Sequence, residues 1–289
     1  MVIPTYYRSR ELAKCLDGIL GQEVKPMEVI VVDDTPVDEI RQLFEDFLVM
    51  ARQEGVDLIY TKNHRERSTS IARNIGAKAA KGEIVLFVDS DVVLHRGYIE
   101  GLLKAYSEHP EAVGITGWIK SLSTQTFVQD IHYWFFQSLK RLFFLFHDSR
   151  DSCRFSEYPI VLTRVIVCQR FVGANMSCRR SLFDEFEFDE SLKGYAYWED
   201  ALFSGSVNKK YPGRLLMTPA STCTHSFSEE GREKKVKMRI IKRRNRKYVL
   251  VKLFGARGLL MFGWQNFGLL VFKLIGRIKR ASIIVDETF

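Results

Sequence analysis

Three polar clusters in the sequence each follow an apolar run that is typical of a β-strand. They are Pro4-Thr5-Tyr6 after Val2-Ile3, Asp33-Asp34 after EVIVV, and Asp89-Ser90-Asp91 after EIVLFV. In an open parallel sheet, ligands bind beyond the carboxyl ends of the strands, where these clusters would meet. A solvated turn explains any one of these aspartates equally well, but three clusters in register favour a ligand site.

A divalent metal bound to a nucleotide diphosphate would offset the repulsion between carboxylates that converge on one edge. Mg²⁺ and Mn²⁺ prefer oxygen ligands and usually take one or two carboxylates together with phosphate oxygens. The three clusters therefore predict a site for a nucleotide and a metal at one edge of a sheet.

The elements that would position these clusters alternate between strand and helix over residues 1–117. Apolar periodicity predicts helices at 8–22, 37–53, 68–80 and 96–108, and strands at 27–32, 57–61, 83–88 and 113–116. Ser68 is expected to cap the third helix. This repeated spacing predicts an α/β fold with a mostly parallel central sheet flanked by helices.

The pattern changes after Trp118. Residues 131–146 hold seven aromatic side chains in 16 positions and favour a helix, and strands are predicted at 171–180 and 215–218. We divide the chain at these changes of pattern into residues 1–117, residues 118–231 and a basic, apolar C-terminal extension (232–289).

The charge of the chain is concentrated in this extension. The 289 residues carry a net charge of +8, but residues 232–289 hold 16 Lys/Arg and three Asp/Glu. Such asymmetry indicates an anionic partner for the extension, such as a membrane surface or a nucleic acid. The uncharged run at 258–272 has 15 residues, whereas a membrane-spanning helix needs about 20, so we expect it to be interfacial or buried.

Cysteine usage indicates a reducing compartment. The five cysteines include no C-x-x-C pair, which argues against a zinc site or a disulfide framework. We read Cys178 and Cys223 as small buried side chains. The first residues, MVIPTYYRSR, contain no apolar signal-peptide core. We therefore expect a cytoplasmic protein, located at the cytoplasmic face of the membrane.

Several segments together resemble the family 2 glycosyltransferases of the GT-A fold. They are VIPTYYR, VIVVDDT, RSTSIARNIGAKAAKGEIVLFVDSDVVL, FVGANMSCRR, FDESLKGYAYWED and a downstream histidine. The resemblance covers most of 2–117 and about 171–227. It implies that 1–117 is the nucleotide-sugar-binding half and 118–231 the acceptor-binding and catalytic half, with the extension 232–289 close to a membrane. A D-x-D triplet alone is weak evidence, but here an Asp pair precedes it by about 55 residues and a Glu-Asp pair follows it by about 110.

The resemblance implies a role for each matching residue. Asp200 would be the general base, and Glu199 would orient it or bind the acceptor. Asp91 and His225 would hold the metal, Mn²⁺ or Mg²⁺. The residues implied in binding the nucleotide-diphosphate sugar are Pro4, Thr5, Tyr6, Asp33, Asp34, Arg73 and Asp89.

Three of these residues, and Trp198 beside them, keep a second interpretation. Asp33 could cap the turn before Thr35-Pro36, and Arg73 could be a solvated helix residue or pair with a carboxylate at the sheet end. His225 could be a structural histidine. Trp198, beside the Glu-Asp pair, could serve packing or form a stacking platform for the acceptor.

The function that the resemblance implies is metal-dependent, inverting transfer of one sugar from a nucleotide-diphosphate sugar to a hydroxyl or phosphate acceptor. We expect a lipid-linked or cell-surface glycan as acceptor, peripheral membrane contact and no nucleic acid. A non-processive enzyme is expected because the Gln-x-x-Arg-Trp motif and the multiple membrane spans of processive members are missing.

Three other protein classes are weaker matches to the sequence. A nucleic-acid-binding or anionic-surface-binding protein could use the basic run at 232–247, but the body shows no nucleic-acid-binding motif. A nucleotidyltransferase would usually show a Gly-rich basic loop where this chain has PTYYRSR. A catalytically silent scaffold would have a broken D-x-D or Glu-Asp pair, and both are intact.

Overall fold

The computed structural model describes residues 1–120, 142–143, 152–153, 161–226 and 235–279. The predicted aromatic helix at 131–146 lies outside the described residues, apart from 142–143, which are helical. The chain begins with a parallel sheet in the order β1 (Val2–Thr5), β2 (Glu28–Asp33) and β3 (Asp57–Lys62). Every residue of β2 is buried, as its continuous apolar run predicts for a central strand covered on both faces.

Three helices follow the strands of this sheet: α1 (Ser9–Leu20), α2 (Glu39–Gln53) and α3 (Thr69–Ala79). Ser68 does stand at the N-cap position of α3, but its hydroxyl makes no cap. It donates instead to the Leu192 carbonyl at 2.7 Å. The sequence prediction of a capping hydroxyl is therefore wrong, because a residue 124 positions away takes the hydrogen bond.

A second sheet contains the remaining described strands. They are β4 (Ile84–Leu86), β5 (Val92–Leu94), β6 (Gly114–Ile119), β7 (Ser152–Cys153), β8 (Ile166–Cys168), β9 (Met176–Arg179) and β10 (Leu215–His225). The order is β4-β9-β6-β10-β8-β7, with β5 on β10. A parallel bridge between Val2 and Phe87 joins the two sheets. The predicted halves 1–117 and 118–231 thus contribute strands to one sheet.

The α/β prediction is confirmed, with a mixed second sheet. Strands β6 and β10 are parallel, but β9 runs antiparallel to both β4 and β6. Buried strands have the same apolar pattern whichever way they run, so hydrophobic periodicity does not show direction. Strand β10 is also longer than predicted. The prediction ended early because the second half of the strand contains the polar residues Ser221, Thr222 and Thr224 and lacks a continuous apolar run.

Helix α4 (Tyr98–Glu108) lies between β5 and β6, and the described residues after β9 form three longer helices, α5 (Glu199–Lys210), α6 (Lys235–Phe254) and α7 (Ala256–Lys279). Helix α6 packs against α5 and against the loop before it. The apolar side chains at this contact are Leu192, Ala196, Ala201, Leu202, Val249, Leu250 and Leu253. In the part of the chain that the structure describes, no helix combines the length and apolar character needed to cross a membrane.

Four cysteines, Cys15, Cys168, Cys178 and Cys223, are free and buried. The prediction that Cys178 and Cys223 are buried small side chains is confirmed.

Candidate active site

Strand register brings the predicted polar clusters to one edge of the joined sheets. Thr5 at the end of β1 pairs with Asp33 at the end of β2, and the Thr5 carbonyl accepts the Asp34 N–H at 3.0 Å. The bridge between Val2 and Phe87 places the segment after β4, which carries Asp89, beside β1. Thr5 is itself buried, whereas Pro4 is half-buried.

Asp33 is fully enclosed by protein donors. One carboxylate oxygen accepts the Thr35 N–H at 2.7 Å, and the other accepts the Tyr60 hydroxyl at 2.7 Å and the Lys62 ammonium at 2.9 Å. With an exposed fraction of 0%, the carboxylate does not face the site. The structure therefore supports the turn-capping interpretation of Asp33 over direct contact with a donor.

Asp34 is the member of the pair that faces the site, and it is half-buried. Its Oδ1 accepts a hydrogen bond from the Asn63 amide. Burial raises the pKa of Asp34 to about 6, although hydrogen bonds from Asn63 and the Ser68 N–H act in the opposite direction. Beside it, the Arg67 guanidinium lies 3.6 Å from the centre of the Tyr6 ring. Together these residues form a polar and aromatic end to the first sheet.

Asp89, Asp91 and His225 meet on the other side of β1. One potential ligand atom from each lies within 4.8 Å of the other two. The His225 Nε2 is 3.1 Å from Asp91 Oδ1, because the antiparallel pairing of β10 with β5 sets His225 opposite Val92. Two carboxylates and an imidazole are ligands that Mn²⁺ accepts, so this donor set fits the predicted metal.

Arg73 lies between the donor side and the Glu-Asp pair. Its guanidinium is hydrogen-bonded to Glu199 and donates to Asp89 at 2.8 Å and to the Gly173 carbonyl at 2.9 Å. Burial alone would lower the pKa of Arg73. The negative charges of Glu199 and Asp89 outweigh this effect and raise the pKa above its ordinary value. With 1% of its surface exposed, Arg73 links two carboxylates, as its second interpretation proposed.

Glu199 and Asp200 begin α5, and they face different partners. Glu199 is buried and pairs with Arg73; burial raises its pKa and the Arg73 charge opposes that rise. Asp200 is half-buried, and its Oδ2 accepts the Gly173 N–H at 2.7 Å. The preceding residue, Trp198, has a left-handed φ of 78°, which turns the chain sharply into the helix. Asp200 is thus the more accessible carboxylate of the pair.

Sequence reasoning missed three side chains of the site. Arg8 is buried, and its Nη1 lies 3.0 Å from Asp91 Oδ2. Asn63 holds Asp34, and Arg67 covers Tyr6. Asn63 directly follows β3, so applying the strand-end argument to that strand as well would have found it.

Family and structure comparisons agree with this geometry. Residues 1–185 match the family described as "Glycosyl transferase family 2". "Glycosyltransferase GlyA" of Streptococcus pneumoniae is 30% identical over 115 residues, which are 40% of this chain and 16% of that protein. The "Glucosyl-dolichyl phosphate glucuronosyltransferase" of Haloferax volcanii is 27% identical over 119 residues, 40% of this chain and 36% of its own. The chain thus matches well under half of either relative.

A solved structure extends the likeness beyond the matched family region. The mannosyltransferase PcManGT from Pyrobaculum calidifontis, "in complex with GDP-Man and Mn2+", superposes with a TM-score of 0.60 at 15% identity. The match covers 94% of this chain and 74% of that one. At this identity the likeness establishes the fold, and the predicted GT-A architecture is confirmed. The chain belongs to glycosyl transferase family 2.

Proposed function

We propose that the protein is an inverting, metal-dependent glycosyltransferase that moves one sugar from a nucleotide-diphosphate sugar to a lipid-linked acceptor. The observation that carries this proposal is the Arg73 guanidinium, which joins Asp89 of the D-x-D triplet to Glu199, the neighbour of Asp200. One buried cation thereby fixes the donor side and the acid pair in a single site.

The donor would lie along the ends of β1 and β2. Asp34, held by Asn63, presents a carboxylate to the base or ribose, and Tyr6 under Arg67 offers a flat surface. Thr5 and Pro4 form the floor at the end of β1. Asp33 positions this edge through Thr35, Tyr60 and Lys62 instead of touching the donor.

Asp89, Asp91 and His225 would hold Mn²⁺ or Mg²⁺, which supplies Lewis-acid stabilisation of the leaving diphosphate when bound. Arg8 adds a fixed positive charge beside Asp91, and Arg73 adds one beside Asp89. Cations that are already in place where negative charge develops need no reorganisation during the reaction. The PcManGT complex with GDP-Man and Mn²⁺ supports this assignment by its shared fold.

Asp200 would take the proton from the acceptor hydroxyl. The Gly173 N–H fixes one of its carboxylate oxygens, and the turn at Trp198 places it at the first turn of α5. Arg73 holds the neighbouring Glu199, which leaves Asp200 as the carboxylate of the pair that faces outward. A single base with direct displacement at the anomeric carbon inverts its configuration.

The C-terminal helices support an acceptor at a lipid surface. Helix α7 exposes an apolar face made by Leu259, Leu260, Trp264, Phe267 and Leu270. Basic residues flank this face, including Arg257 and Lys273, which are exposed. An apolar helix face beside Lys and Arg binds anionic bilayers through interfacial burial and through about 1 kcal/mol for each basic residue near the surface. The name of the Haloferax relative, a transferase for a dolichyl phosphate glycan, agrees with such an acceptor.

Metal binding is tested by Asp91→Asn, which removes a charged ligand while keeping the side chain's shape. We expect affinity for Mn²⁺, measured by electron paramagnetic resonance of the free ion, to fall at least about tenfold. The affinity for UDP and GDP in the presence of Mn²⁺ should fall with it, as measured by calorimetry. Asp46→Asn, an exposed change on α2, serves as the control. Unchanged Mn²⁺ affinity in Asp91→Asn would contradict the metal assignment.

The general base is tested by Asp200→Asn. The asparagine amide oxygen can still accept the Gly173 N–H, but it cannot take a proton, so turnover should fall by about 10²–10⁴. Nucleotide affinity should remain within about twofold of wild type, since Asp200 lies outside the donor edge. The exposed Asp184→Asn variant should match wild type in both measurements. Near-normal turnover in Asp200→Asn would move the base to another group, with Glu199 as the next candidate.

Membrane contact is tested on the exposed face of α7 by the double change Leu260→Glu and Phe267→Glu. Both side chains are at least half exposed, so the fold should persist while sedimentation with vesicles of anionic lipid is lost. Val49→Glu, on the exposed face of α2, introduces a similar charge far from the C-terminal extension and should sediment like wild type. Equal sedimentation of the α7 variant and wild type would exclude this face as the membrane contact.

A further inference from the structure

Helix α6 contains a buried arginine, Arg246, that has no role in the reaction described above. Arg246 is 3% exposed and lies between α6 and α7. One guanidinium nitrogen donates to the Asn266 side-chain oxygen at 3.0 Å, and the group lies 5.3 Å from the centre of the Phe262 ring. Both partners belong to α7 and are uncharged.

Arg246 has no anionic partner among the residues that the structure describes. Within the described ranges, no carboxylate pairs with it, and its Nε has no hydrogen-bond acceptor. Burial lowers the pKa of Arg246, and the charge of nearby Arg243 lowers it further. A charge removed from water without a counter-ion costs several kcal/mol, so buried charges are normally paired. Arg73, the other deeply buried arginine discussed above, has two carboxylate partners.

The neighbours of Arg246 on α6 contact the loop that leads into Asp200. Lys242 and Leu250 lie one turn before and after it and share its face of the helix. The Lys242 ammonium lies 4.6 Å from the centre of the Tyr197 ring, and the neighbouring Asn245 amide donates to the Tyr197 carbonyl at 3.0 Å. Tyr197 is three residues before Asp200 in the chain.

Electrostatic effects connect the same groups. Burial raises the pKa of Tyr197, the Asp200 charge raises it further, and the Arg170 charge opposes the rise. Tyr197 in turn acts on the pKa of Arg246. Tyr197 therefore lies within electrostatic range of both Asp200 and Arg246.

We propose that Arg246 binds a phosphate group of the acceptor and thereby holds the acceptor against the Tyr197 loop. This proposal rests on the function proposed above. It specifies that the acceptor of the transfer carries a phosphate group, as a lipid phosphate does. A guanidinium matches phosphate oxygens through paired hydrogen bonds, and a bound phosphate would supply the missing counter-charge. Lys242, one turn earlier on the same face of α6, adds positive charge. The donor diphosphate has separate partners at Arg8 and the Asp89–Asp91–His225 group.

The test measures binding to the full chain without turnover. Farnesyl monophosphate serves as the lipid-phosphate probe, farnesol as its uncharged match, and UDP or GDP with Mn²⁺ as the diphosphate probe, all by calorimetry. The variants are Arg246→Gln and the charge-keeping Arg246→Lys. Arg243→Gln, an exposed change three residues away on α6, is the matched control. Circular dichroism and the thermal unfolding midpoint establish that each variant is folded.

Wild type should bind farnesyl monophosphate at least about tenfold more tightly than farnesol, and Arg246→Gln should lose that preference. Arg246→Lys should retain part of it, because it keeps the charge but loses the paired geometry, and Arg243→Gln should retain nearly all of it. Nucleoside diphosphate affinity should not change in either Arg246 variant.

Three results would overturn the proposal. Equal binding of farnesyl monophosphate and farnesol by wild type, or an unchanged preference in Arg246→Gln, would show that the arginine is structural. Loss of nucleoside diphosphate binding alone in Arg246→Gln would assign the guanidinium to the donor. Failure of the proposed glycosyl transfer itself would appear separately, as a wild-type protein that binds neither Mn²⁺ nor any nucleoside diphosphate.

Discussion

The ion pairs of Arg73 are the interaction on which the arrangement of the site depends. Its side chain is 2% exposed and contacts Asp89, which follows β4, and Glu199, which begins α5. These two acids are 110 positions apart in the chain, and no strand pairing joins them directly. Without the guanidinium, the buried Glu199 carboxylate and the partly exposed Asp89 carboxylate would lose the positive charge that they share.

The absence of a side chain at Gly173 leaves room for the Arg73 guanidinium. A Cβ atom added at Gly173 would lie 2.8 Å from two of the guanidinium nitrogens, so a larger residue there would displace them. The Gly173 carbonyl accepts from Arg73, and its N–H donates to Asp200. The same short segment therefore holds both the linking cation and the proposed base, which ties the position of Asp200 to that of the D-x-D triplet.

The sequence was sufficient to predict the fold class and the edge at which the site lies. Continuous apolar runs indicate the strands, and the carboxyl ends of parallel strands meet at one edge of a sheet. These two facts together predict that Asp34, Asp89 and Asp91 lie near one another. His225 required the family resemblance, because β10 reads as a strand only over its first residues. Pairing with β5 is what brings that histidine to Asp91.

What the sequence could not predict are the partners that each charged side chain chooses. Asp33 and Asp34 are adjacent and chemically identical, yet one is enclosed by Tyr60 and Lys62 and the other faces the site. Alternation along a strand sends them to opposite sides, but only the tertiary packing decides which side is buried. The pairing of Arg8 with Asp91 and the solitary burial of Arg246 likewise arise from contacts between distant segments.

Equilibrium unfolding in denaturant of Arg73→Met, without metal or nucleotide, tests most directly whether Arg73 holds the site together. Removing one member of a buried ion pair leaves uncompensated charge, so we expect the free energy of unfolding to fall by about 3–5 kcal/mol. Adding Glu199→Gln to this variant should recover part of the loss, because one of the stranded carboxylates is then neutral. Lys78→Met, an exposed change on the same helix, should cost less than about 1 kcal/mol. A loss in Arg73→Met no larger than that of the control, or no recovery in the double variant, would contradict the account.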